Sequence, residues 1–330
     1  MRILSGIQPS GIVHIGNYLG AMRQQIALQD QGDHEHPIYL IVDLHAITVP
    51  QEPAKLREHT LNTAALYLAL GLDPEKAILY VQSQRPEHAE LAWILTTITS
   101  MGELERMTQF KEKGRGEDRG GSGVGLFSYP LLMAADILLY NTQKVPIGED
   151  QVQHLELARD LAKRFNQRFG DTVTIPEPIL PEHGARIMGL DDPSVKMSKS
   201  ASSAYNYIAL TDDADTVRNK IKKAVTDSGS EIVYSNEKPA LKNLLTIFAG
   251  VTSDTPEVIA SRYAGKGYAD FKADLAEAIT AFLAPIQARY AEIRGDEQHL
   301  TEILRIGARR AEPLAKQTMH KVKNAVGFVF

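Results

Sequence analysis

The sequence predicts an α/β fold. Residues 1–200 read as a doubly wound parallel sheet with helices on both faces, and residues 201–330 as a helical domain. Three observations carry this. The runs Ile38-Tyr39-Leu40-Ile41-Val42 and Ala77-Ile78-Leu79-Tyr80-Val81 are almost wholly apolar, the pattern of strands buried on both faces. Longer amphipathic stretches alternate with such runs, as parallel strands joined by crossover helices require. Beyond about Asp212 strand-like runs become scarce and helical patterns dominate.

Residues 2–7 and 144–147 are weaker strand candidates. Residues 56–70, rich in Ala and Leu, predict a helix that stops before Gly71, a residue suited to a C-cap. Residues 131–140 predict an apolar helix, and residues 269–283 and 302–326 predict two more in the second domain. No internal repeat is present. Residues 114–125 hold six glycines in twelve positions. Such a stretch resists ordering, because each glycine has more backbone freedom to lose, and it reads as a mobile loop over a site.

Composition excludes several classes. The chain has 330 residues, 43% of them hydrophobic and 23% charged, as in an ordinary globular protein of two domains. Without cysteine there is no disulfide, thiolate zinc site or cysteine nucleophile. No apolar run reaches 18 residues, and the N-terminus turns polar too early for a signal peptide, so cytoplasmic residence without a membrane partner is expected. The net charge of −5 argues against a generic nucleic-acid binder. Residues 201–330 carry 17 Lys+Arg against 16 Asp+Glu, a balance of +1, which leaves −6 for residues 1–200. The basic end of the last helix, including Arg309 and Arg310, is a candidate contact for a phosphate backbone.

Two segments carry phosphate chemistry. Gly6-Ile7-Gln8-Pro9-Ser10-Gly11-Ile12-Val13-His14-Ile15-Gly16-Asn17 runs from a candidate strand into a helical stretch. Its glycines let backbone amides approach a phosphate, and a helix N-terminus adds partial positive charge. His14 and Asn17 can share one helical face and donate hydrogen bonds. In Lys196-Met197-Ser198-Lys199-Ser200, two lysines three apart are interleaved with hydroxyls, a set suited to a triphosphate. A tight turn explains the first segment alone, and a solvated basic turn the second.

Together the two segments resemble the paired HIGH and KMSKS motifs of class I aminoacyl-tRNA synthetases, with Asn17 in the last place of the first. Further segments are similar to tryptophanyl-tRNA synthetases of bacterial type: residues 42–47, 102–113, 133–138, 145–151 and 184–188, and less sharply 223–228. The resemblance implies a Rossmann-like catalytic domain and a ligase that joins tryptophan to ATP, releases pyrophosphate and transfers tryptophan to tRNA(Trp). It implies ATP contacts at Gln8, Pro9, Ser10, His14, Gly16 and Asn17, ribose contacts at Gly148, Glu149 and Asp150, and adenine against Ile187. It implies that Lys196, Met197, Ser198, Lys199 and Ser200 meet the phosphates. Lys113, Lys196, Lys199 and Gln8 would carry the catalysis, with Mg²⁺ on the phosphates and no dedicated protein ligand. A homodimer is implied, as is anticodon contact by the helical domain, with the last helix folding back on the first domain.

Asp136 is the candidate for amino-acid choice. It interrupts an apolar helix, where an unpaired charge is costly to bury, and the indole N–H is a donor only. By resemblance, Tyr129, Met133, Val145 and Ile147 form the slot, His45 and Gln151 lie nearby, Gly6 gives the substrate room and Leu4 packs at the ring. Relatives can carry an aromatic residue where Leu4 stands, and some carry threonine where His14 stands. His45 has no Ser/His/Asp arrangement around it in the sequence and reads as structural or substrate-shaping. His34 and His36, flanking Glu35, read as a solvated turn. The rival readings are a tyrosyl-tRNA synthetase, a non-catalytic paralogue, and a nucleotidyltransferase with another substrate.

Overall fold

The computed structural model describes residues 1–9, 11–31, 35–108, 123–148, 151–179, 186–199, 201 and 203–330. Ser10, Lys113, Glu149, Asp150, Ser200, His34 and most of the glycine-rich stretch lie outside the described residues. The chain divides into two compact units, each assembled from separated segments. One comprises residues 1–11, 25–181 and 296–330; the other comprises residues 12–24 and 182–295.

The first unit holds the sheet. Strands β1 (Leu4–Ile7), β2 (Ile38–Ile41) and β3 (Ile78–Val81) pair in parallel, with Leu4 opposite Ile38 and Ile38 opposite Ile78. Strands β4 (Lys144–Pro146) and β5 (Glu177–Ile179) form a second parallel ribbon. A parallel bridge between Ile3 and Lys144 joins the ribbons, giving the order β3-β2-β1-β4-β5. Strand order reverses between β1 and β4, and in a doubly wound sheet ligands bind outside the carboxyl ends of the strands at such a point. All residues of β2 and β3 are buried, which explains why both read as unbroken apolar runs.

The Pro53–Ala69 helix ends where Gly71 takes φ +105, a conformation that residues with a Cβ rarely adopt. The helix expected over 131–140 runs from Val124 to Leu138. Pro130 hid its first turns. A proline inside a helix removes one backbone donor, so sequence reading starts a helix after it; here the flanking apolar faces hold the helix together through the proline. It stops before Asn141, whose φ is +49. The last helix, Glu297–Val326, packs on β3 so closely that a Cβ on Gly307 would lie 1.9 Å from the Leu79 carbonyl oxygen.

In the second unit, residues 13–15 pair with residues 208–210 through Ile15 N–H to Ile208 O (2.9 Å) and Leu210 N–H to Val13 O (3.0 Å). Helices Ala214–Lys223, Pro239–Val251 and Tyr268–Gly295 pack around Phe248, Phe271 and Tyr263. No described helix is long and apolar enough to cross a membrane.

Candidate functional site

The segments leaving β2 and β3 and the Glu87–Thr96 helix converge on Asp136, carried by the Val124–Leu138 helix. Tyr129, Met133 and Asp136 are spaced i, i+4, i+7 along Val124–Leu138 and therefore share one face. Asp136 is 4% exposed and its carboxylate is met by three donors. Gln82, the residue after β3, donates from Nε2 to Oδ1 at 2.6 Å. His88, on the Glu87–Thr96 helix, meets Oδ1 through Nδ1 at 2.6 Å. His45, just after β2, meets Oδ2 through Nε2 at 2.9 Å. Burial by itself would raise the Asp136 carboxyl; the two imidazoles outweigh it and hold the group down at about 2. Asp136 is thus an anion at neutral pH and can only accept.

The surroundings are apolar or themselves braced. Leu4, Val145 and Ile147 belong to one buried cluster, and Met133 packs against it. Tyr129 sets its hydroxyl on His154 at 2.7 Å and meets the His45 ring edge-on at 6.1 Å. Burial pushes the Tyr129 phenol up to about 12. Gln8 donates to the His45 carbonyl at 3.3 Å. Gln151 stands at the N-cap of the Val152–Phe169 helix, its amide bonded to Gly148 O at 3.0 Å. Gly6 has a reason of its own in the sheet: a Cβ there would meet Val42 Cγ1 at 3.0 Å and Leu40 O at 3.3 Å. Beyond His88, the chain of polar groups continues to buried Tyr80 (2.8 Å from His88 Nε2), whose hydroxyl touches that of buried Tyr140.

The second unit brings the two phosphate-type segments together. A Cβ on Gly16 would lie 3.0 Å from His14 Nδ1 and 3.2 Å from Met197 Sδ, so the glycine lets the lysine-bearing loop seat against the His14 turn. His14 begins that turn; its backbone N–H donates to Asn17 Oδ1 at 3.0 Å, which leaves the Asn17 NH₂ as a donor. His14 is buried, and its Nδ1 has no hydrogen-bond partner among the described residues. Burial, then Lys196 and Lys199, lower the imidazole to about 4, so it is neutral at pH 7. Burial also lowers the Lys199 ammonium, whereas Lys196 is exposed. The loop is held from behind. Met197 N–H donates to Ile187 O (3.0 Å), Ser198 N–H to Asn206 Oδ1 (2.9 Å), and Asn206 Nδ2 to Asp191 (2.6 Å). Asn243 bonds both the amide and the carbonyl of Met188, at 2.8 and 2.9 Å. Ile187 is buried.

A family model described as tRNA synthetases class I (W and Y) matches residues 1–284. The chain is 53% identical over 329 residues to the tryptophan–tRNA ligase of Caldanaerobacter subterraneus, covering 99% of this chain and 98% of the relative. It is 54% identical to that of Listeria monocytogenes, covering 98% and 97%. The chain belongs to the tryptophan–tRNA ligases of class I. Among solved structures, tryptophanyl-tRNA synthetase from Mycoplasma pneumoniae superposes with a TM-score of 0.90 at 36% identity, covering 99% of this chain and 98% of that one. The Campylobacter jejuni synthetase complexed with ADP and tryptophan gives 0.85 at 38% identity, covering 99% and 100%. Membership in the ligases agrees with the fold class and family read from the sequence.

Sequence reading singled out Asp136 and His45 but not Gln82, His88, Asn206 or Asn243. The last four carry no local signal. A polar residue just past an apolar strand, as Gln82 is, was the one available hint, because carboxyl ends of strands build sites in such sheets. Arg310 bonds the carbonyls of Pro74, Glu75 (3.4 Å) and Ala77 (3.0 Å), and so braces the turn into β3, while Arg309 pairs with Glu302 at 2.6 Å.

Proposed function

We propose that the chain activates L-tryptophan with ATP, forming tryptophanyl-adenylate and pyrophosphate, and then transfers tryptophan to tRNA(Trp). The observation that carries the amino-acid choice is Asp136. A carboxylate can take about four donors on its two oxygens; Oδ1 takes two and Oδ2 one, so Oδ2 can accept the indole N–H. Leu4, Gly6, Tyr129, Met133, Val145 and Ile147 would bound the ring, with His45 and Gln151 near the polar end.

The tryptophan carboxylate would attack the α-phosphate in line, and pyrophosphate would leave. No enzyme-bound intermediate is needed, so positioning and charge stabilisation supply the catalysis. Gln8, Pro9, Ser10, His14, Gly16 and Asn17 would contact ATP, Gly148, Glu149 and Asp150 the ribose, and Ile187 the adenine. Lys113, Lys196 and Lys199, with Met197, Ser198 and Ser200, would hold the phosphates. The neutral His14, the Asn17 NH₂ and the two lysines support this, because they gather donors and positive charge in one place. Mg²⁺ would arrive on the nucleotide. Magnesium is commonly held by substrate phosphates while keeping several waters.

The helical domain over 201–330 would contact the anticodon, the enzyme would act as a homodimer, and it would reside in the cytoplasm. The test is ATP–pyrophosphate exchange with each of the twenty amino acids, repeated for Asp136→Ala. Exchange with tryptophan alone, lost in the variant, is the expected result. Exchange with tyrosine would overturn the pocket assignment.

A further inference from the structure

We infer that His88, a residue with no place in the binding set above, is the positioning residue that keeps Asp136 oriented for the indole N–H, with Tyr80 and Tyr140 fixing the orientation of His88 in turn. The inference rests on Asp136 being the indole acceptor.

The geometry runs in one direction. Tyr80 and Tyr140 both sit within reach of His88 Nε2, at 2.8 and 3.4 Å, and their hydroxyls touch each other. A tyrosine hydroxyl donating to Nε2 places the ring proton on Nδ1, which faces Asp136 Oδ1 at 2.6 Å. His88, Tyr80 and Tyr140 are all fully buried, so water cannot substitute for any of them. The ring stands between two elements, the Glu87–Thr96 helix that carries it and the Val124–Leu138 helix that carries Asp136. Turning the imidazole would break its bonds at both ends.

The other groups around Asp136 do not duplicate this. His45 is bonded to the opposite oxygen, Oδ2, on the side proposed to meet the substrate. Gln82 supplies a neutral donor to Oδ1. Arg85 is engaged by Glu87 at 2.6 Å and by Glu312 at 3.0 Å, and Lys316 pairs with Glu312, so the set is balanced within itself. Tyr80 and Tyr140 are held protonated by burial. His88 is one of the two imidazoles that oppose burial at Asp136, and the one bonded to Oδ1.

Removing the Nδ1 donor therefore has two consequences. The carboxylate loses an anchor, which weakens tryptophan binding in ground state and transition state alike and raises KM with little change in kcat. The carboxyl, now governed more by burial, protonates at higher pH. A protonated carboxyl on Oδ2 no longer accepts the indole proton, so tryptophan binding fails on the acid side at a higher pH than in the wild type.

The experiment is tryptophan-dependent ATP–pyrophosphate exchange by the full chain across the acid range, for wild type, His88→Gln, His88→Asn, Tyr80→Phe and Asp136→Ala. His88→Gln keeps a group near the Nε2 position but loses the donor at Nδ1. His88→Asn keeps a donor at the Nδ1 position. The expected result for His88→Gln is a KM for tryptophan about ten-fold higher, as for loss of a hydrogen bond to a charged group. Its kcat stays within about two-fold and its acid limb moves to higher pH. His88→Asn recovers most of the KM. Tyr80→Phe, which leaves the His88 ring in place, moves KM and the acid limb in the same direction by less, and decides the matter should His88→Gln not fold. An unchanged KM and acid limb in the folded His88→Gln variant, or in Tyr80→Phe, overturns the inference while loss of exchange in Asp136→Ala leaves the pocket assignment standing. A kcat loss at unchanged KM overturns it as well. Retained tryptophan exchange in Asp136→Ala overturns the pocket assignment itself.

Discussion

The Asp136 cluster in one unit and the His14–Lys199 cluster in the other solve opposite problems. Around Asp136 a single negative charge is enclosed by donors, and the carboxylate is held by three of them before any ligand arrives. Around His14 the donors gather without an anion. Among the described residues neither Lys196 nor Lys199 forms an ion pair, and His14 Nδ1 is buried without a partner. The first arrangement suits selection between similar side chains, because a pre-oriented acceptor rejects a ring that has nothing to donate. The second suits a highly charged ligand that brings its own counter-charge, and whose developing charge is stabilised in the transition state.

The largest expected effect is on the second cluster. Lys199→Ala should slow tryptophan-dependent exchange by about 10²–10³, as for removal of one charge-stabilising donor, with KM for tryptophan little moved. A large tryptophan KM effect would blur the division between the clusters.

Acid titration comes next. His14 has its folded-state value lowered from 6.5 to about 4, so between those values the unfolded chain binds more protons and stability rises with pH. The stability associated with His14 is present above about 6.5 and is lost as pH falls towards 4. The loss is up to about 3 kcal/mol, read as denaturation midpoints of wild type against His14→Gln. Equal slopes in the two proteins would contradict the neutral, enclosed histidine. The Asp136 carboxyl, lowered from 3.8 to about 2, loses its stability mainly below about pH 4 and adds slope only at the acid end of that window.

Gln82→Ala should then cost about 1–3 kcal/mol of stability, because a buried carboxylate loses one of its donors. The effect should appear in unfolding and in tryptophan KM together, because one carboxylate serves both the buried network and the substrate. The smallest contrast is between two neighbouring arginines. Arg310→Ala should lower stability by about 1–2 kcal/mol through the carbonyls it braces, whereas Arg309→Ala, an exposed pair with Glu302, should move stability by less than about 0.5 kcal/mol. Any shared effect of both on tRNA charging and its salt dependence would make them backbone contacts.

Legibility followed from how local each signal was. Strands β2 and β3 are apolar throughout because both faces are covered, and they were readable to within a residue. β5 has three residues, one of them Pro178, and leaves no periodicity to read. Asp136 was readable because a lone carboxylate in an apolar helix requires an explanation. Its partners were not, since Gln82 and His88 reach it only through packing of elements distant in sequence. Asn206 and Asn243 look like ordinary polar residues until the backbone groups they bond are seen. The grouping of residues 12–24 with 182–295 is likewise tertiary. It explains why two motifs about 180 residues apart, Gly16 and Met197 among them, meet side by side.

The most direct test of the account needs no mutation: exchange supported by tryptophan against exchange supported by its benzothiophene analogue, in which sulfur replaces the indole N–H. The ring keeps its shape and loses only the donor. If Asp136 accepts that proton, kcat/KM falls by about 10–100-fold for the analogue, the worth of a hydrogen bond to a charged group. Equal use of the two substrates would mean that the enclosed carboxylate does not read the indole nitrogen, and the central claim would be wrong.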